Sequence, residues 1–192
     1  MGDHGKNLTL PKPTVMFIRH AEKPDHSQHG VTRAGEHDEH SLSVQGWTRA
    51  GALAALFSHV SGTTHHNLVQ PERIIATSPS HNYKSKREHD TALPTAERLN
   101  VHIESHTVPD DYQALVDDIT KDGKSTLIVW HHGTMPDFVR SFPIANMDAV
   151  PQSWPVDSFD LVWVLRPDGD RWTFSEVAQD LLVGDESERA ST

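Results

Sequence analysis

Two short segments of this 192-residue chain concentrate residue types that handle phosphate: Ile18-Arg19-His20-Ala21-Glu22-Lys23-Pro24 and Trp130-His131-His132-Gly133-Thr134. Arginine offers a planar, bidentate fork of donors to an oxyanion. Imidazole can donate, accept or titrate near neutral pH. Each segment follows an apolar run that reads as a strand. In an open α/β sheet, ligands bind beyond the carboxyl ends of the strands. If the two strands are neighbours, Arg19, His20 and one of His131 and His132 converge. The helix expected after Thr134 then aims its N-terminal amides at the same point. One arginine, two imidazoles and a helix end together imply a phosphate site.

The elements that must position these groups are legible in the pattern. Thr14 to Ile18, Arg73 to Thr77 and Thr126 to Trp130 are short, nearly continuous apolar runs, as in strands buried on both faces of a parallel sheet. Val101 to Glu104 reads as a further short strand. Ser43 is a plausible N-cap for a helix to about Ser58, with Ala50, Leu53, Ala54 and Phe57 on one face. A second helix is expected from about Ser85 to Leu99, with Pro94 kinking or dividing it, and a third from Pro109 to Ile119. Residues 23–41 are polar, rich in His and Gly and without period, which predicts a long loop. Phe159 to Leu165 and Trp172 to Val177 flank the turn signal Pro167-Asp168-Gly169 and predict a hairpin. Alternating strands and helices imply a three-layer α/β/α sandwich around a mostly parallel, mixed sheet. A single domain over 1–183 is expected, opening on a loose arm over 1–12 and ending in a frayed tail over 184–192.

Composition removes several classes. The chain has no cysteine, so disulfides, thiolate metal sites and a cysteine nucleophile are excluded. Its formal charge of −10 argues against a general nucleic-acid binder. No apolar run approaches a membrane span. MGDHGKNLTLPKP lacks the apolar core of a secretory signal, so a cytoplasmic location is expected.

Arg19-His20-Ala21-Glu22 resembles the opening signature of the histidine phosphatase, or phosphoglycerate mutase-like, superfamily. The resemblance extends to Leu42-Ser43-Val44-Gln45-Gly46-Trp47-Thr48-Arg49-Ala50, to Ala76-Thr77-Ser78-Pro79, and to Thr126 to Thr134. These motifs fall in the family's order over about residues 14–166. The resemblance implies that His20 is the nucleophile that takes the phosphoryl group, that Arg19 binds phosphate, and that a second histidine donates to the phosphate oxygens. A neutral imidazole suits this task, because a phosphate monoester dianion repels anionic nucleophiles. Covalent catalysis divides one difficult step into two. The nucleophile's other ring nitrogen needs a fixed partner, expected to be a backbone carbonyl near residue 22 or beyond.

Alternatives remain within the resemblance. Aligning on the strand makes His132 the second histidine; aligning on Gly133-Thr134 makes it His131. A Trp-Glu-His variant seen in some members favours His132, leaving His131 at the pocket wall. The second phosphate-binding arginine is expected at Arg87, because Thr91 keeps the family's Arg-to-Thr spacing; Lys84 and Lys86 are the alternatives. Glu104, Asp110 and Asp111 are candidates for a general acid, although Asp110 and Asp111 equally suit a helix N-terminus. Glu22, Lys23, His131, Ser78, Asp110 and Asp111 are expected to line the substrate site. Arg49 reads as a surface or supporting residue, and Trp154 as a pocket wall or plain core.

The resulting expectation is a phosphomonoester hydrolase of the histidine acid type, with no metal, no cofactor and a small phosphorylated substrate. A mutase-type phosphotransferase and a catalytically weak phosphate-binding regulatory module are the alternatives. The 15 histidines also raise a metal hydrolase reading, centred on His26, His29, His37 and His40. The absence of an HExxH motif and of helical period in that loop argues against it.

Overall fold

The computed structural model describes residues 13–58, 68–108 and 111–185. The elements run β1 (Val15–Arg19), β2 (Gly30–Val31), β3 (Leu42–Ser43), α1 (Val44–Ser58), β4 (Arg73–Thr77), α2 (Arg87–Leu99), β5 (Ile103–His106), α3 (Gln113–Asp122), β6 (Thr126–Trp130), α4 (Met135–Arg140), β7 (Leu161–Asp168) and β8 (Arg171–Ala178). The segment over 1–12 expected as a loose arm, Pro109, Asp110 and residues 186–192 lie outside the described residues.

Six strands form one sheet in the order β5-β4-β6-β1-β7-β8. The first four are parallel to one another, and β7 and β8 join antiparallel. β1, β4 and β6 are buried at every position, as their apolar runs require. Alternate side chains divide between two cores. Val15, Phe17, Ile128 and Trp130 pack with α3 and α4. Met16, Ile18, Leu127 and Val129 pack with Leu53 and Phe57 of α1 and Ala92 and Ala96 of α2. The three-layer α/β/α sandwich with a mixed sheet is therefore as expected. The side-by-side pairing of β1 with β6, register Arg19↔Trp130, puts both histidine-bearing loops at one sheet end.

Several local expectations need correction. The 23–41 segment is not wholly loop, because Gly30–Val31 pairs antiparallel with Leu42–Ser43. α2 begins at Arg87 and runs undivided through Pro94. Proline removes one helical hydrogen bond, and the packed face of Thr91, Ala92, Thr95 and Ala96 holds the rest. α3 starts at Gln113 instead of Pro109 and ends at Gly123, whose φ of 65° gives a left-handed cap. Pro167 lies within β7, paired with Trp172 past the end of the β1 ladder, and the turn is Gly169-Asp170. Phe159 stands outside β7. Within the segment expected as tail, Asp185 is buried and accepts the Leu181 and Leu182 N–H groups.

Candidate active site

Arg19 is the last residue of β1 and His20 follows it; they are 1 % and 3 % exposed. The His20 Nδ1 lies 2.7 Å from the Ala21 carbonyl oxygen. A carbonyl only accepts, so Nδ1 carries the proton and Nε2 keeps its lone pair. The orienting carbonyl is thus Ala21, slightly nearer than the position expected. Burial pushes the His20 pKa down to about 3, with Arg19, Arg87 and His132 adding to the effect. His20 is therefore a neutral, tautomer-fixed imidazole at ordinary pH.

Arg19 stacks its guanidinium over the Phe159 ring, 4.4 Å from the centroid, and Nη1 donates to the Val156 carbonyl. Its Nε is buried with no hydrogen-bond partner among the described residues. Burial lowers its pKa, while Asp157 and Glu88 act in the opposite direction. Phe159, which reads in sequence as a strand residue, thus forms an aromatic wall against both Arg19 and His20. Trp154 is instead core, packed 4.8 Å from Trp163.

His132 meets His20 edge-on, with ring centroids 6.1 Å apart. Its Nδ1 is buried without a hydrogen-bond partner among the described residues. Burial lowers its pKa to about 4, helped by Arg19, His131 and Lys23. His131 turns to Tyr83, 5.0 Å away between centroids, and its N–H donates to Thr77 Oγ1. Burial lowers the His131 pKa as well. The expected helix-end contribution does not materialise. The Thr134 and Met135 N–H groups both donate to the His131 carbonyl, Pro136 has no N–H, and α4 is only six residues long. Side chains, not helix amides, supply the positive field here.

Arg87 opens α2, with Nε donating to the Ser41 carbonyl at 3.2 Å and Nη2 to the Glu39 carbonyl at 2.7 Å. Its charge reaches His20. The Arg-to-Thr spacing has a structural cause: Thr91 Oγ1 donates to the Arg87 carbonyl and accepts the Ala21 N–H. One helical turn therefore ties α2 to the His20 loop. Lys86 is engaged by Asp38 at 2.8 Å, and Lys84 is exposed.

The segment from Leu42 to Ala50 is an anchor for the same loop. Ser43 Oγ accepts the Gly46 N–H, which makes Ser43 the N-cap of α1 as expected. The Ser43 N–H and Oγ–H both donate to the Glu22 carbonyl. A Cβ at Gly46 would lie 2.3 Å from that carbonyl oxygen, so only glycine permits the approach. Glu22 Oε1 accepts from Arg49 at 2.8 Å. Arg49 is no surface residue: it is 3 % exposed and also binds Asp185 and Gln179. Burial opposes its charge, and the Asp185 and Glu22 hydrogen bonds outweigh that and raise its pKa.

Other candidates are placed elsewhere. Glu104 is turned to Arg73, with bonds of 2.8 and 2.7 Å, and is occupied as an ion-pair partner. Asp111 Oδ1 accepts the Gln113 N–H at the start of α3, beside His106 and Thr107 at the sheet edge. Neither is presented to His20. Asp110 lies outside the described residues. The Ser78 N–H is taken by the His106 carbonyl, so Thr77 is the residue of that strand end that touches the histidine loop.

Sequence reading missed Glu88. It is 0 % exposed, accepts hydrogen bonds from Tyr83 Oη and from Ser85 Oγ at 3.0 Å, and acts electrostatically on Arg19 and His131. Burial first, then Glu88, raises the Tyr83 pKa and keeps the phenol a donor. Glu88 thus counterbalances the site's cations. Adjoining Phe159 is a cavity of about 250 Å³ whose lining includes Glu22, Lys23, Asp25, Val156 and Asp157. Glu22 and Lys23 both border it. Histidines also gather away from this centre: His29 and His37 meet Glu39 at the surface, without His26 or His40.

The mixed sheet in this order, flanked by helices, has the phosphoglycerate mutase-like α/β fold. The chain has the fold of the histidine phosphatase superfamily. A structure described as mycobacterial hydrolase 1 aligns with a TM-score of 0.57 at 14 % identity, covering 90 % of this chain and 100 % of that one. A mycobacterial glucosyl-3-phosphoglycerate phosphatase complexed with VO3 aligns at 0.56 and 14 % identity, covering 85 % and 97 %. The ecdysone phosphate phosphatase from Bombix mori, in complex with tungstate, aligns at 0.51 and 12 % identity, covering 85 % and 92 %. At such identities the likeness is one of fold. No family model and no curated protein matches the sequence. No helix among the described residues is long and apolar enough to cross a membrane.

Proposed function

We propose that the protein is a phosphomonoester hydrolase acting on a small phosphorylated substrate through a phosphohistidine at His20. The observation that carries this reading is the His20 imidazole: buried, neutral, and fixed by the 2.7 Å contact of Nδ1 with the Ala21 carbonyl. That contact leaves Nε2 as the nucleophile. Nε2 attacks phosphorus, a P–N bond forms, and the ester P–O bond breaks as the leaving oxygen takes up a proton. Water then attacks phosphorus, the P–N bond breaks, and His20 returns to its neutral form. Arg19, Arg87 and His132 stabilise charge on the equatorial oxygens, which is the main task in phosphoryl transfer.

The neighbouring cavity supports hydrolysis over a mutase cycle. A mutase needs an anion clamp to retain its acidic intermediate. Lys23 is the one cation among the described lining residues, beside Asp25 and Asp157 and with Glu22 taken by Arg49, so the lining offers no clamp of several cations. The phosphatases among the structural neighbours point the same way.

The test is acid-labile labelling by a radiolabelled phosphomonoester. Wild type acquires label and His20→Ala does not. Full labelling of His20→Ala overturns the assignment.

A further inference from the structure

We propose that His29, His37 and Glu39 form a binding site for a divalent transition ion of the zinc type, outside the His20 centre. The His37 Nε2 lies 2.6 Å and the His29 Nδ1 3.9 Å from the same carboxylate oxygen of Glu39. The two rings are 5.6 Å apart between centroids. One donor atom from each residue falls within 4.8 Å of the others. Ligands at zinc bond lengths on a tetrahedral ion stand about 3.3 Å from one another. The observed separations bracket that value, so small side-chain rotations bring all three onto one ion.

The backbone preorganises the set. Gly35, with φ of +85°, helps turn the chain between residues 32 and 36, and Val31 bridges to His37 across the turn. The Asp38 N–H donates to the Gly30 carbonyl at 2.9 Å. A Cβ on Gly30 would lie 2.2 Å from the Asp38 carbonyl oxygen, so glycine allows the two strands of the turn to close. That closure sets His29, next to Gly30, against His37, next to Asp38. Of the four histidines crowded in this segment, the fold selects two and adds a carboxylate.

Two imidazoles and one carboxylate suit zinc and similar borderline ions, with a fourth position for water; magnesium and calcium demand oxygen ligands. The ion's position gives it a structural consequence. The Glu39 carbonyl, one residue's backbone away from the ligand carboxylate, receives the Arg87 Nη2. Clipping the turn therefore fixes the carbonyl that holds Arg87.

The proposal stands apart from the phosphatase reading, and its test reads metal directly. Chelator-stripped protein without a histidine tag is titrated with ZnCl2 by calorimetry against a weak competing chelator. Wild type binds one ion. His29→Ala and His37→Ala each weaken binding by about tenfold or more, at least the loss that follows removal of a partner outside the ligand set, whereas His26→Ala and His40→Ala leave it unchanged. Because the ligand side chains are exposed, the variants keep the wild-type circular dichroism. CoCl2 gives wild type, but not His37→Ala, the visible absorption of a tetrahedral site. Absence of competitive binding in wild type overturns the proposal. So does equal binding in the His29→Ala/His37→Ala double variant, or an equal loss in His26→Ala or His40→Ala.

Discussion

Arg49 and Asp185 meet as a two-bond fork, Nη2 to Oδ1 at 2.7 Å and Nη1 to Oδ2 at 3.1 Å, and the same guanidinium holds Glu22. A residue at the far end of the described chain is thereby joined to the loop that carries His20. Removing Asp185 strips the buried Arg49 of its bidentate partner and leaves Glu22 as its remaining carboxylate. Asp185→Ala is expected to lower the unfolding free energy by about 3 kcal/mol, measured by urea denaturation. It also lowers kcat by loosening Glu22. Unchanged values of both would show that the fork does not couple residue 185 to the His20 loop.

Arg87 separates from its lysine neighbours by position. Losing one preorganised donor to a transition-state oxyanion costs about 100-fold in rate. Arg87→Ala is expected to reduce kcat/KM by about that factor, and Lys84→Ala to leave it unchanged. The opposite pattern in steady-state assays would move the phosphate clamp to Lys84.

Glu88 places a buried negative charge within electrostatic reach of Arg19. A glutamine there keeps an acceptor for Tyr83 or Ser85 while removing the charge. Glu88→Gln is expected to tighten inhibition by inorganic phosphate several-fold, read as the product-inhibition constant. Weaker inhibition would mean that the carboxylate's main effect is to hold Arg19 in place.

Burial lowers the pKa values of His20, His131 and His132 in the folded protein, to about 3 for His20 and about 4 for His132. In the unfolded chain these groups titrate near 6.5. Between those limits the unfolded chain binds protons that the folded protein refuses, so acid favours unfolding. Their contribution to stability is complete above about pH 6.5 and disappears as pH falls toward 4 and 3. Urea midpoints are expected to fall over that range, and more gently for His132→Gln. A midpoint independent of pH between 6.5 and 4 would contradict the neutral, buried state of these rings.

Much of the frame was readable because its causes are local. Continuous apolar runs located β1, β4 and β6, and the Ser43 cap located α1. The Arg87-to-Thr91 spacing pointed to a real one-turn linkage. The packing turns the His132 ring to His20 and the His131 ring to Tyr83. What escaped depends on groups distant in the chain. Glu88 looks like one charge in a solvated Lys-Arg-Glu-His-Asp run, and only the packing of Tyr83 and Ser85 shows it buried. Arg49 gives no local hint of Asp185. Glu104 is an ordinary strand carboxylate until Arg73 claims it. The amides after Thr134 seemed free for an anion because nothing local announces that the His131 carbonyl takes them.

The pairing of β1 with β6 also bears on how the protein folds. His20 and His132 lie far apart in the chain, and only that parallel, long-range ladder brings them together. Contacts of this kind form late, since a large loop must close first. Local helices and the β7–β8 hairpin can arise before it, but none of them holds both His20 and His132. On the proposed reading of His20 and His132 as phosphate-handling groups, oxyanion binding during refolding is expected to report completion of the central sheet and to appear no earlier than native strand order.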